Sequence, residues 1–171
     1  MGDVVEVNSG IVQITQFNSA SVVTGEVRVK LASQVQAIAR SWVLKSKAFS
    51  VANGYPQAVA FFKQRLVFAN TKTSPNQMWF SAIADDGNFL ETTKDADAFS
   101  IASSSNQSDN ILHLAQRGGV VALCGGAEFL VSSDGPLTPS SAQITEHTSY
   151  GAQPDVKPVR VGNELLFVML H

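Results

Sequence analysis

The sequence predicts a mainly β protein made of repeated antiparallel β-meanders, in the manner of partial β-propeller blades. Three observations predict it. From Gly54 onward, turn signals rich in Gly, Pro, Asn and Asp recur about every eight to twelve residues. The runs between them are short and apolar, without the length or sustained 3.6-residue period of a long helix. One unit also occurs three times: an apolar strand, a polar break and a strongly apolar strand.

Taken in order, Val4 to Leu31 reads as β. In "VTGEVRVKL" Val27, Val29 and Leu31 point one way and Arg28 and Lys30 the other. Thr24-Gly25 is a turn or bulge signal. The next segment is ambiguous. Val35, Ile38 and Trp42 have helical spacing, which fits a short helix over 33–42. An irregular surface segment leading to a strand at "SWVLKSKAF" fits equally well. Together residues 1–50 form a β lead-in segment. Residues 54–171 form a propeller-like region of about two and a half units.

Within that region "QAVAFFKQRLVFANT", "NILHLAQRGGVVALCGG" and "VKPVRVGNELLFVML" share the unit, with breaks at Lys63-Gln64, "QRGG" and Gly162-Asn163. The second strands centre near Val67, Val121 and Leu166, about 45 to 55 residues apart. A third strand follows the first two copies, at "QMWFSAI" and "AEFLVSS". A period of this kind fits propeller blades, whose inner strands are buried on both faces and read as unbroken apolar runs, as "VVALC" and "LLFVML" do. A meander sandwich would repeat its hairpins too. The third unit has no outer strands. The expectation is a piece of a longer protein; an intact chain that completes its sheets in an oligomer is the alternative.

Apolar residues make up 44% of the chain and charged residues only 15%, which favours a chain that buries surface against partners. The net charge of −2 gives no bulk attraction to nucleic acid. With one cysteine, Cys124, there is no internal disulfide, and its place in "GVVALCGG" marks a buried hydrophobe. "MGDVVEVNSG" is not a signal peptide, and no apolar run is long enough for a membrane span or anchor. The expected location is the cytoplasm, or something assembled there.

The search for chemistry finds no catalytic constellation, cofactor fingerprint or metal site. His113, His147 and His171 lack metal-ligand spacing. His113 reads as a strand residue with a hydrogen-bond partner and His147 as exposed. The acids Asp85, Asp86, Glu91, Asp95 and Asp97 form the densest cluster, but the pattern of a calcium loop breaks at Phe99. Gly118-Gly119 and Gly125-Gly126 flank a strand and read as hairpin turns. Asn106-Gln107-Ser108 is a glycosylation sequon in form only. Arg65 reads as a packing residue, its stem on aromatics and its head paired to a carboxylate, in preference to a ligand contact.

The markers Gly54-Tyr55-Pro56, Phe61-Phe62, Arg65-Leu66-Val67-Phe68, Ala69, Trp79 and Ser81 come in order, followed by Asp95-Ala96-Asp97, the turn from Gly125 to Phe129, "PLTPSSAQITEHTSYG" and "VKPVRVGNELLFV". This string resembles the tail tubular protein B, or tail nozzle, family of short-tailed bacteriophages and prophages. The resemblance covers nearly the whole chain. It implies a β-rich, propeller-like structural protein of the virion tail. It also implies self-association into a ring, contacts with other tail proteins and transient contact with phage DNA in the lumen. It brings no enzyme activity and no cofactor. Its motif positions are Gly54, Tyr55, Pro56, Arg65, Phe68 and Trp79. Family members are several times longer than this chain. A second reading is a carbohydrate-binding or carbohydrate-cleaving tail-associated propeller, supported only by the acidic loop Asp85 to Asp97 and by exposed Tyr and Trp residues.

Overall fold

The structure is a computed structural model that describes residues 3–45, 47–92, 94–103 and 110–170. His171 and the sequon Asn106-Gln107-Ser108 lie outside the described residues. The fold is all-β. Among the described residues fourteen strands form four antiparallel sheets and no helix occurs. The chain divides into two compact units, Met1–Ala48 and Phe49–His171.

The first unit is one sheet of β1 (Val4–Val7), β2 (Gly10–Ser19), β3 (Val22–Val29) and β4 (Val43–Lys45), ordered β3-β2-β1-β4. Thr24-Gly25 lies inside β3 opposite a bulge in β2, where Thr15 is the extra residue between Ile14 and Gln16. Gly25 is needed there because a Cβ would stand 2.5 Å from Val12 Cγ1. The short helix over 33–42 does not form. Val35 and Ile38 are 74% and 83% exposed, so the apolar stripe has nothing to pack on. A ten-residue helix gets most of its stability from such packing. The irregular segment is the alternative realised, and Arg40 sits at φ 69° within it.

The second unit holds two four-stranded meanders. The first is β5 (Ala58–Phe62), β6 (Arg65–Ala69), β7 (Gln77–Phe80) and β8 (Phe99–Ala102), in that order. The second is β9 (Ile111–Gln116), β10 (Val120–Cys124), β11 (Glu128–Ser132) and β12 (Gln143–Thr148), also in sequence. A hairpin of β13 (Val159–Val161) and β14 (Glu164–Leu166) follows. The threefold repeat is therefore real at the level of hairpins: β5–β6, β9–β10 and β13–β14 pair antiparallel across the three polar breaks. The first two units each add a third and a fourth strand. No propeller is assembled from these sheets.

Instead the two meanders share one core. Val67, Met78, Phe80 and Phe99 from the first interleave with Ile111, Val120, Ala122, Cys124, Phe129 and Val131 from the second. Leu137, in the turn after β11, closes this core at 2% exposure. β10 is buried along all five residues, as its unbroken apolar run predicts. Val121 and Leu123 face away from the shared core into a smaller cluster with Ala152, Leu130, Leu165 and Phe167. "LLFVML" departs from expectation. Only Leu165 and Phe167 turn inward, while Leu166, Val168, Met169 and Leu170 are 43–59% exposed. The main chain of its last part pairs with residues 151–153, through Gln153 N to Val168 O and Leu170 N to Gly151 O, and the outward side chains are left uncovered.

The hairpin turns match their sequence signals. Lys63 and Gln64 both adopt positive φ, 48° and 61°, as a two-residue type I′ turn requires. Gly118 has φ 69° in the β9–β10 turn, and Cys124 N donates to Ala127 O across Gly125-Gly126.

Candidate functional site

Two features of the second unit concentrate the sequence-predicted residues: a buried arginine clamp and an aromatic cluster, both built on the first meander. Arg65 opens β6 opposite Phe62, so the Lys63-Gln64 turn aims its side chain into the sheet. It is fully buried. Its Nη1 donates to the main-chain carbonyls of Ser81 at 2.5 Å and Asp97 at 2.7 Å, and its Nη2 to that of Asp95 at 2.7 Å. The guanidinium carbon lies 5.3 Å from the centre of the Phe99 ring. Burial lowers the Arg65 pKa and the nearby Asp97 charge opposes the shift; starting far above neutral, the group stays protonated.

An aromatic does lie beside this side chain, but it is the guanidinium that stands over the Phe99 ring. The head, however, is fixed by three carbonyl oxygens and not by a carboxylate. A guanidinium has five N–H donors in a planar fork; a loop that turns three carbonyls inward bonds both Nη atoms without a second buried charge, while the buried Nε has no partner. The loop is held at its base by Ser81, whose Oγ accepts from Leu66 N and donates to Ala82 O. Thr92 Oγ1 donates to the Asp97 carboxylate.

This accounts for part of the acidic loop. Asp95 and Asp97 contribute main-chain oxygens inward, while Asp85, Asp86 and Glu91 are exposed. No group of three or more His, Cys, Asp or Glu is arranged to hold a metal among the described residues. His113 Nε2 is 3.1 Å from Gln153 O, the expected strand histidine with a partner, and His147 is exposed.

The aromatic cluster lies on the other face of the same sheet. Phe49 meets Phe68, Trp79 and Phe89 edge-on, with ring centres 5.3–5.5 Å apart, and Phe68 stacks on Phe89 at 5.3 Å. Phe68 and Trp79 are cross-strand partners on β6 and β7, which is why they share a face. Gly54 sits where the chain enters this sheet. Its φ of 85° and the 2.7 Å that would separate a Cβ from Lys72 N leave room for glycine alone. Tyr55 is 63% exposed and Pro56 half-buried, and neither belongs to the cluster.

Other apolar side chains are exposed elsewhere in the molecule. In the second unit one set is Val159, Val161 and Leu166 on the β13–β14 hairpin, with Val168, Met169 and Leu170 just beyond it, while the single side chain of Val51 is exposed further still. In the first unit, a concavity of about 580 Å³ is walled by Val5, Val12, Ile14, Val23, Trp42 and Leu44. The residues forming these surfaces were visible in sequence as apolar runs. Their exposure was visible only where a repeat lacked its later strands.

Sequence reasoning missed Glu128. It lies on β11 and is buried to 2% exposure. The available signal was a carboxylate two positions from Leu130 in "AEFLVSS", hence on the same face as an apolar residue.

Among known proteins, a family model described as bacteriophage nozzle protein matches residues 50–170, well over half of the chain. No curated protein matches it.

Proposed function

The chain belongs to the bacteriophage nozzle protein family, and from that premise we propose that it works by subunit contact, as part of a tail ring through which DNA passes to the host. Membership makes it a structural component of a phage tail that associates with other tail proteins. The ring, the passage of DNA and assembly in the host cytoplasm extend that statement. The role is structural and not catalytic.

The observation that carries the proposal is the apolar hairpin. β13 and β14 expose Val159, Val161 and Leu166 at 56–59%, beside a strand with β13 as its sole sheet neighbour among the described residues. An exposed apolar strand edge is a pairing site, and natural proteins cover or charge such edges unless a partner uses them. The low share of charged residues supports the same reading. The six motif positions then serve the scaffold: Gly54 and Pro56 set the entry to the first meander, Arg65 clamps its long loop, and Phe68 and Trp79 build its outer face. Tyr55, exposed at the same entry, is the one motif position free to meet a partner. The inward use of the Asp95 and Asp97 carbonyls does not favour the carbohydrate reading.

Light scattering on the purified chain across a hundredfold concentration range tests the proposal, together with mass spectrometry of purified virions. Concentration-dependent association and presence in the particle are expected. A strictly monomeric chain absent from particles would sink it.

A further inference from the structure

Glu128 opens β11, opposite Leu123 on β10 and Thr148 on β12. It is turned away from the shared core, to the face covered by Leu165 and Phe167. Its Oε2 accepts from Thr148 Oγ1 at 2.5 Å and from Tyr150 N at 3.2 Å. Its Oε1 is buried and has no hydrogen-bond partner. A buried carboxylate oxygen without a donor is costly, and each such atom in a native fold calls for an explanation.

Beside it lies the explanation we draw. Glu128 forms part of the wall of a cavity of about 170 Å³, whose apolar walls include Val121, Leu123, Leu165 and Phe167. The other charged groups in that wall offset each other: Arg117 Nη2 is 3.5 Å from Glu164 Oε2, and Arg117 Nε donates to Asn163 O at 3.1 Å. Of the two carboxylates in that wall, Glu128 is the one without an ion-pair partner. Its volume is well below the roughly 300–1,000 Å³ of small-molecule sites and suits a single side chain.

We infer that this cavity is a socket for one arginine or lysine side chain of a partner chain. The stem lies on Val121, Leu123, Leu165 and Phe167, and the cationic head pairs with the Glu128 carboxylate, whose Oε1 is closed off from solvent in the free chain and turns to the cavity when the cation enters. The socket itself is independent of the tail role; only the identity of the donor as a neighbouring tail subunit rests on that proposal.

The test uses the whole chain and two small probes, N-acetylarginine amide and its neutral isostere N-acetylcitrulline amide. Titration is followed by NMR at the Thr148 and Tyr150 amides and the Leu165 methyls. Saturable shifts with the arginine probe, at least tenfold weaker with the citrulline probe, are expected. Glu128→Gln, checked for a cooperative melt, weakens the arginine response at least tenfold. Equal binding of the two probes, or no saturable response to either, overturns the socket. If Glu128→Gln does not fold, the pair of probes on the wild-type chain decides the matter alone. A chain that binds the arginine probe but stays monomeric and absent from particles keeps the socket and loses the tail role.

Discussion

Replacing Arg65 with Met keeps an apolar stem and removes the fork. The cost follows from where the three carbonyls lie. Ser81 is fully buried, so its oxygen is left unpaired, at about 1–3 kcal/mol. The Asp95 and Asp97 carbonyls belong to a loop that water reaches, and each exchanged bond costs about 0.5–1.5 kcal/mol. Set against this is relief. The buried guanidinium and its Nε, which has no partner, no longer need desolvation, a gain of about 1–3 kcal/mol. Mid-range values leave a net loss of about 2 kcal/mol, or roughly 8 °C in melting temperature for a unit of this size. Thermal and urea unfolding followed by circular dichroism measure it. Amide hydrogen exchange across residues 82–92 and 94–97 should rise before the rest of the meander opens, because the loop loses its anchor first. Arg65→Lys supplies one point charge where a planar fork is needed and recovers less than half of the loss. A loss under about 1 kcal/mol for Arg65→Met, or full recovery by Lys, would show that the fork does not hold the loop.

Gly54→Ala should destabilise the second unit by about 2 kcal/mol, since φ is 85° and the new Cβ would stand 2.7 Å from Lys72 N; urea midpoints measure it. Gln64→Gly should stabilise by about 0.5–1 kcal/mol, because a side chain at φ 61° in the turn is replaced by the residue that tolerates it; a higher melting temperature is the readout. Leu166→Lys with Val168→Lys should leave the melting temperature within a few degrees, as both side chains are about half exposed or more. The pair should lower self-association at least tenfold in light scattering, if the hairpin edge is the contact.

Much of the fold was legible because polar breaks between apolar runs are a strong hairpin signal. Lys63-Gln64, Gly118-Gly119 and Gly162-Asn163 all proved to be turns. The 33–42 segment was misleading for a physical reason. Helical spacing predicts a helix only where something covers the apolar face, and Ile38 faces solvent. β8 was hard to see because "FSIA" leads into a polar, serine-rich stretch, and its strand character comes from pairing with β7. The arginine clamp was half legible. Burial among aromatics could be read from the apolar residues around Arg65, but main-chain carbonyls leave no residue-type signature. For Glu128, strand alternation gave the face, and only the packing of the β13–β14 hairpin over that face made it a buried one.

The burial of Cys124 between the two meanders has a practical consequence. It is the only thiol in the sequence, and it lies at 0% exposure in the core they share. Alkylating reagents reach it only when the sheets part, so its rate of modification is a clock for opening of that core. A second cysteine placed on the surface would take a fluorophore or cross-linker while Cys124 stays silent. The distance from that label to any labelled tail protein could then be measured with Cys124 left in place.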